Sequence, residues 1–140
     1  MFQRYNCPSA KTFRASIIPE IAGKVREKVK EKIQSATQNG ASFSFTTDIW
    51  SSLANDSYIS ITAHFLEGFE RQNMMLSVAS FNVSHTAENI ATKFEELQQI
   101  WGFDADLIFM VLRDNASNMK AAFRRVGTDS FGCLAHTLQV

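Results

Sequence analysis

The feature that most constrains the fold is an unbroken apolar run at residues 107–112, with the sequence LIFMVL. Six consecutive apolar residues favour a β-strand that is covered on both faces, as in the middle of a mixed or parallel sheet. The run ends at a charged pair, Arg113 and Asp114. We therefore predict an α/β protein whose sheet contains this strand in its interior.

The segments after this strand predict a helix and a further strand. Residues 116–123, or slightly more, have the pattern of a short helix, and residues 127–129, Gly-Thr-Asp, have that of a turn. Residues 131–135 are predicted to form a short strand. A last helix is predicted to begin at His136.

The segments before the apolar run predict three antiparallel strands and a helix. Polar and apolar residues alternate at 41–48 and 57–66, and a weaker pattern at 74–83 follows a polar turn at 68–73. Short polar connections between such segments are typical of an antiparallel meander. Residues 86–100 predict a helix that ends at Gly102, with these residues on its inner face: Ile90, Phe94, Leu97 and either Ile100 or Trp101.

The first 40 residues predict a separate helical segment. Between start signals at Ser16 and Pro19 and a stop signal at residues 39–40, apolar residues recur every four positions, as on one helix face. The same helix is rich in Lys and Arg, which suits either a DNA-backbone face or the solvated face of an amphipathic helix, and we favour the solvated face. We divide the chain into residues 1–40 and a mixed-sheet domain at residues 41–140.

Composition limits the class of protein. The chain has 140 residues, and 14 Lys and Arg balance 14 Asp and Glu, so the formal net charge is zero. This length suits a single domain with one core, and no apolar run approaches the roughly 18–20 residues of a membrane span. Two cysteines do not form a disulfide framework. Because nucleic-acid binders usually carry a basic excess, any DNA contact must be local, metal-mediated or made by another part of the protein.

Two acidic residues follow strands that could be neighbours. Asp48 ends the first predicted strand and Asp114 ends the apolar strand. If these strands are adjacent, both carboxylates lie at one edge of the sheet, where ligands of α/β proteins bind. Carboxylates are the preferred protein ligands of Mg²⁺, which supports phosphodiester chemistry. The alternative is that each is a turn or helix-cap residue, and Asp114 in particular is placed to cap the helix at residue 116.

Other chemical motifs are weaker. Cys133 and His136 form a C-x-x-H pair, but a structural zinc site needs about four ligands and no second pair has suitable spacing. We therefore expect no structural zinc in this chain. A nucleophilic Cys–His dyad also lacks an orienting third group, and no glycine-rich nucleotide-binding loop is present.

Four sequence blocks in order resemble the catalytic domain of hAT-superfamily (hobo–Activator–Tam3) DNA transposases. They are FTTDIWSS with YISITAHF at residues 45–52 and 58–65, HTAENI at 85–90, RDNASNM at 113–119 and CLAHTLQ at 133–139. Residues 7–13 and 17–20 resemble the helical region that precedes that domain. The similarity extends over nearly the whole chain and is closest to the zinc-finger BED-domain-containing group, many of whose members are transposase-derived host proteins.

The resemblance implies a ribonuclease H-like fold and a D-D-E metal site. It implies that Asp48 and Asp114 are the first two catalytic and metal-binding carboxylates, with Mg²⁺ or Mn²⁺ as the cofactor. It also places Cys133 and His136 near the active site, together with Arg113 and Asn115. Arg113 stands where many family members have a small polar residue, so it either weakens metal binding or contacts DNA phosphate.

The chain also differs from the family pattern. No later Glu supplies the third acidic residue, which in the family follows a large helical insertion, and neither the BED zinc finger nor the dimerisation region is represented. We therefore expect a truncated fragment, in which Phe131, Leu134, Leu138 and Val140 are partly exposed.

Three functions remain open. The chain is part of a transposase or of a transposase-derived nuclear DNA-binding protein, inactive by itself; or it is a domesticated, non-catalytic regulator that binds DNA or a partner; or, least favoured, it is a complete ribonuclease H-like nuclease. DNA is the expected partner, chiefly through regions outside this chain. A homo-oligomer is possible in the full-length protein, and no membrane association is expected.

Overall fold

The computed structural model describes residues 7–138. The chain divides into two compact units, the first ending at Ser35 and the second beginning at Ala36. The helices are α1 (Ala10–Thr12), α2 (Ile18–Gln38), α3 (Ala87–Trp101), α4 (Ser117–Val126) and α5 (Leu134–Leu138). The strands are β1 (Phe43–Ser51), β2 (Ser57–Glu67), β3 (Glu70–Ser80), β4 (Ile108–Arg113) and β5 (Ser130–Gly132). Val140 lies outside the described residues.

The helix predicted from Pro19 to about Gln38 is confirmed as α2, which starts at Ile18. The first unit is already helical from Ala10 onward, which was not predicted. Ser9 caps α1, since its hydroxyl accepts a hydrogen bond from the Thr12 N–H at 3.1 Å. A π-helical turn, Phe13–Ile17, then connects α1 to α2. Proline has no N–H and its ring clashes with the preceding helical turn, and the wider π-helical turn allows the helix to continue through Pro19.

The second unit contains a five-stranded mixed sheet with the strand order β3-β2-β1-β4-β5. The pairs β1–β2 and β2–β3 are antiparallel, and the pairs β1–β4 and β4–β5 are parallel. This is the predicted order of three antiparallel strands followed by strand, helix and strand. The architecture is that of a ribonuclease H-like fold, as predicted.

One face of the sheet forms the core with α3 and α4. Phe43 and Phe45 on β1 are buried, and the intervening residues on that strand lie on the other face. Phe94 of α3 makes edge-on ring contacts with Phe45 and with Phe123 of α4, with ring centroids 5.8 and 5.0 Å apart. Full burial of each such ring contributes about 1.5–3 kcal/mol, so these aromatic contacts fix both helices against the sheet.

The opposite face of β4 is not covered by any element in the described part of the second unit. Phe109 is 64% exposed and Leu112 is 39% exposed. The prediction that the apolar run is covered on both faces is therefore wrong for these residues, although β4 does lie between two parallel neighbours. Phe131, Leu134 and Leu138 are exposed, as predicted.

Several element ends differ from the predictions. The turn before β3 is confined to residues 68–69, because the polar residues predicted as turn pair with the end of β2, from His64↔Asn73 to Glu67↔Glu70. Strand β5 is shorter than predicted, and α5 begins at Leu134, so His136 lies within that helix. Ile100 is exposed and Trp101 is the half-buried alternative at the end of α3. No helix among the described residues is long and apolar enough to cross a membrane.

Candidate metal centre beside β1 and β4

Parallel pairing of β1 with β4 places Asp48 beside Asp114. The register pairs Thr46 with Leu112. Asp48 lies two residues after Thr46 within β1, which continues to Ser51, so the prediction that Asp48 ends this strand is wrong. Asp114 directly follows the last residue of β4, as predicted. On β1, Asp48 shares the face of Thr46, opposite the buried Thr47. Adjacent strands lie about 4.7–4.9 Å apart, so two residues in this relation are near neighbours.

Both aspartates line one cavity of about 210 Å³. Its lining residues are Thr46, Thr47, Asp48, Ser60, Leu112, Arg113, Asp114, Cys133 and His136. The structure thus brings together five of the six residues that the sequence singled out. Asn115 is not part of the lining and lies next to it.

The two carboxylates differ in their hydrogen bonds. Asp48 is exposed, and its carboxylate makes no hydrogen bond or ion pair with another described residue. Asp114 is half-buried, and its Oδ1 accepts a hydrogen bond from the Ala116 N–H at 2.9 Å. The N-cap of α4 is Ala116, and no side chain forms a capping hydrogen bond there. Asp114 is therefore a turn residue before α4, so its predicted role as the helix cap is wrong, and its turn bond uses only one carboxylate oxygen.

Cys133 and His136 interact at the edge of the cavity. Hydrogen bonds from the backbone and side chain of His136 hold the pKa of the Cys133 thiol below its ordinary value. The same side-chain hydrogen bond raises the pKa of His136, with further contributions from the negative charges of Cys133, Asp48 and Asp114. The pKa of His136 is therefore raised chiefly by Cys133, and both aspartates contribute in the same direction.

The backbone around Cys133 is held in place by Asn115. The Asn115 side-chain amide donates to the Cys133 carbonyl at 3.2 Å and to the Thr137 hydroxyl at 2.8 Å. The Cys133 N–H donates to the Arg113 carbonyl at 2.7 Å. Asn115 therefore positions the cavity wall formed by the start of α5 and does not itself contact the cavity.

Arg113 directly precedes Asp114, and it is largely buried, with 6% exposure. Its Nε donates to the Ser130 hydroxyl at 3.1 Å, and its Nη1 donates to the Asp114 carbonyl oxygen at 2.8 Å. These bonds direct the guanidinium toward the backbone and β5. Since the carbonyl of Asp114 is the acceptor, the Asp114 carboxylate is not used by these bonds.

Sequence reasoning missed several residues on the same face of the sheet. Ser60 is the direct partner of Asp48 across the β1–β2 pair and also lines the cavity. The Thr46 hydroxyl hydrogen-bonds to His64 Nε2 at 3.0 Å, and His64 Nδ1 hydrogen-bonds to Asn73 at 2.8 Å. The alternation of β2 already indicated that Ser60 and His64 share a face, but relating them to Asp48 required the register.

The donor set fits a hard divalent cation better than zinc. Two carboxylates from adjacent strands match the usual protein contribution to a Mg²⁺ site, where water fills the remaining positions. Among residues 7–138, no group of three or more His, Cys, Asp or Glu side chains is arranged to hold a metal ion. Two carboxylates are fewer ligands than a site held by protein side chains alone would need.

The match to a known family lies within the second unit of the chain. The five-stranded mixed sheet defines the class, a ribonuclease H-like domain. The family model described as the ZBED1 RNase-like domain matches residues 46–130, which include Asp48 and Asp114. The chain belongs to this family, and it is a ZBED-related protein derived from hAT transposases. No curated protein matches the chain.

Proposed function

We propose that this transposase-derived domain binds a divalent cation, Mg²⁺ or Mn²⁺, through Asp48 and Asp114. In this proposal the two residues are the first two carboxylates of a D-D-E site. The observation that carries it is that two adjacent parallel strands direct both aspartates into one cavity. A cation held there would act as a Lewis acid on a phosphodiester.

The partner in this proposal is DNA, and the compartment is the nucleus. The family to which the chain belongs supports both parts of the proposal, because transposases act on DNA. The 140 residues alone are proposed to bind the cation and not to cleave DNA, since the third carboxylate is not within this sequence. In the same proposal, DNA recognition and any homo-oligomer depend chiefly on other regions of the full-length protein.

A Mn²⁺ titration followed by electron paramagnetic resonance tests the proposal. The variants are Asp48→Asn and Asp114→Asn, and the matched control is Asp106→Asn, an exposed aspartate in the short helical turn before β4. Asn at position 114 keeps an oxygen that can accept the Ala116 N–H, so this change preserves the local fold. Loss of one carboxylate ligand should weaken binding at least about tenfold, by about 1.4 kcal/mol or more, and the control should bind as the wild type does.

Equal Mn²⁺ affinity in all four proteins would contradict the proposal. A second candidate function, a non-catalytic binding module, is favoured by the hydrogen bond between Asp114 and Ala116, which gives Asp114 a structural role without a metal. A well-folded chain that binds no divalent cation at millimolar concentration would support this second function.

A further inference from the structure

The positive charges of the second unit are concentrated in one short segment. From Ala36 onward the sequence contains eleven Asp and Glu and only six Lys and Arg. Four of the six basic residues lie between positions 113 and 125, and α4 itself contains three of them and no acidic residue. An otherwise acidic domain thus has one local region of positive charge.

Three of these basic residues meet at a cavity next to α4. This α4 cavity has a volume of about 450 Å³ and is lined by Arg113, Lys120, Phe123, Arg124, Gly127, Thr128, Asp129 and Ser130. Lys120 and Arg124 are four residues apart on α4, so they lie on the same helix face. Both are exposed, and neither forms an ion pair with another described residue. Asp129 is the one acidic residue in the lining.

Arg113 provides a buried charge at this cavity. Its side chain is more than nine-tenths buried, and its hydrogen bonds go to the neutral oxygens of Ser130 and the Asp114 backbone. No carboxylate among the described residues forms an ion pair with it. A buried charge without an opposite charge is costly, so an anion in the adjacent cavity would stabilise the guanidinium.

The fourth basic residue is directed elsewhere. Arg125 Nη2 lies 3.5 Å from Glu88 Oε1 and does not line the α4 cavity. Arg125 thus has the same charge and the same helix as Arg124 but a different environment. It provides a matched control for the charges at the cavity.

We propose that Arg113, Lys120 and Arg124 form a contact site for the phosphate backbone of a nucleic acid. Cations grouped around a concave surface focus positive potential and attract polyanions. A nucleic-acid strand offers several phosphates to cations that lie on separate elements, whereas free phosphate offers one charged group. The proposal rests on DNA being the partner of the proposed function and assigns the surface that contacts it.

The position of Arg113 connects this surface with the acidic cavity. Arg113 is part of the lining of both cavities. A nucleic-acid strand whose phosphates contact Lys120 and Arg124 therefore passes next to Arg113, which also lines the cavity of Asp48 and Asp114. In this arrangement, α4 holds the backbone and the aspartates face the neighbouring phosphodiester.

The test is fluorescence anisotropy of a labelled DNA duplex without divalent cations, at salt concentrations from about 50 to 200 mM. The whole chain is compared with the double variant Lys120→Gln/Arg124→Gln and with Arg125→Gln. The slope of log K against log salt is negative, and each lost phosphate contact should reduce its magnitude by about 0.9. The magnitude for the double variant should therefore be lower than that of the wild type by about 1.8. Arg125→Gln should keep the wild-type slope. Because Lys120 and Arg124 are exposed, the double variant should unfold at the wild-type urea concentration.

The outcomes separate this proposal from the metal site. The anisotropy assay contains no divalent cation, so its result does not depend on Mn²⁺ binding by the aspartates. If the wild type binds no Mn²⁺ but still binds DNA through α4, the metal site alone is overturned. Three results would overturn the α4 site: no measurable DNA binding by the wild type, an unchanged salt slope in the double variant, or an equal effect of Arg125→Gln. Complete displacement of DNA by inorganic phosphate at constant ionic strength would identify a free-phosphate site instead.

Discussion

The adjacent residues Thr46 and Thr47 of β1 have hydroxyls in very different environments. Thr46 faces the cavity side and hydrogen-bonds to His64 Nε2. Thr47 is buried on the other face, and its hydroxyl has no hydrogen-bond partner among the described residues. A buried hydroxyl without a partner costs about 1–3 kcal/mol, whereas a satisfied one contributes about 1 kcal/mol.

Replacing these two residues by valine should therefore change stability in opposite directions. Thr47→Val removes the unsatisfied hydroxyl and keeps the shape, and it should raise the free energy of unfolding by about 1 kcal/mol. Thr46→Val breaks the bond to His64 and should lower it by about 1 kcal/mol. Urea unfolding measures both. Destabilisation by Thr47→Val would mean that its hydroxyl has a partner in solution.

A second prediction at the residue scale concerns the thiol of Cys133. Since its pKa lies below the ordinary value, its thiolate should form at lower pH than that of an unperturbed cysteine. Alkylation by iodoacetamide in a Cys7→Ser background should accordingly reach half its maximal rate at lower pH than for a model thiol. His136→Ala removes the hydrogen-bonding side chain and should move the midpoint upward. The backbone hydrogen bond from residue 136 remains in this variant, so an unchanged midpoint would show that the His136 side chain does not act on the thiol.

At the scale of secondary-structure elements, the junction of β5 and α5 depends on Gly132. A Cβ at this position would overlap Asn115 Oδ1, and the Asn115 side chain cannot move away without losing its bonds to Cys133 and Thr137. Gly23 in α2 provides the control, because a Cβ there meets no atom within 4 Å. The sequence alone did not single out Gly132, because this close approach joins segments that are distant along the chain.

Gly132→Ala should destabilise the second unit by about 1–3 kcal/mol, and Gly23→Ala should be neutral or stabilising by up to about 1 kcal/mol. In an Asn115→Ala background, the side chain that blocks the Cβ is absent, and Gly132→Ala should cost less than about 0.5 kcal/mol. Urea unfolding of the four proteins of this cycle gives the coupling energy directly. Equal costs in the two backgrounds would exclude Asn115 as the obstacle.

Element ends were predictable where a local signal determines them. Helix α3 begins after Thr86, whose hydroxyl accepts from the Asn89 N–H, and it ends at Gly102, which has a left-handed backbone conformation. Both signals are visible in the sequence. The start of β3 was not predictable, because polar residues 70–73 become strand only through pairing with β2.

At the scale of the whole molecule, the order of elements predicted the mixed sheet, whereas the adjacency of β1 and β4 was a condition that the sequence left open and the strand order meets. The exposed face of β4 was not predictable, because a continuous apolar run does not show which of its faces an element covers. Similarly, residue type identified Asp48 and Asp114, but only the parallel register places them beside the same cavity. The sequence did not predict the α4 cavity, because the turn at residues 127–130 completes its lining and brings Arg113 together with the basic residues of α4.

The central claim is that Asp48 and Asp114 bind one cation together, and nuclear magnetic resonance with Mn²⁺ tests it most directly. Paramagnetic broadening locates a bound ion in solution without requiring a complete coordination sphere. Substoichiometric Mn²⁺ should first broaden the amide signals of residues 46–50 and 112–116. Asp48→Asn should remove this broadening from both segments. Broadening of only one segment, or first broadening around other acidic residues such as Asp104 and Asp106, would contradict the claim.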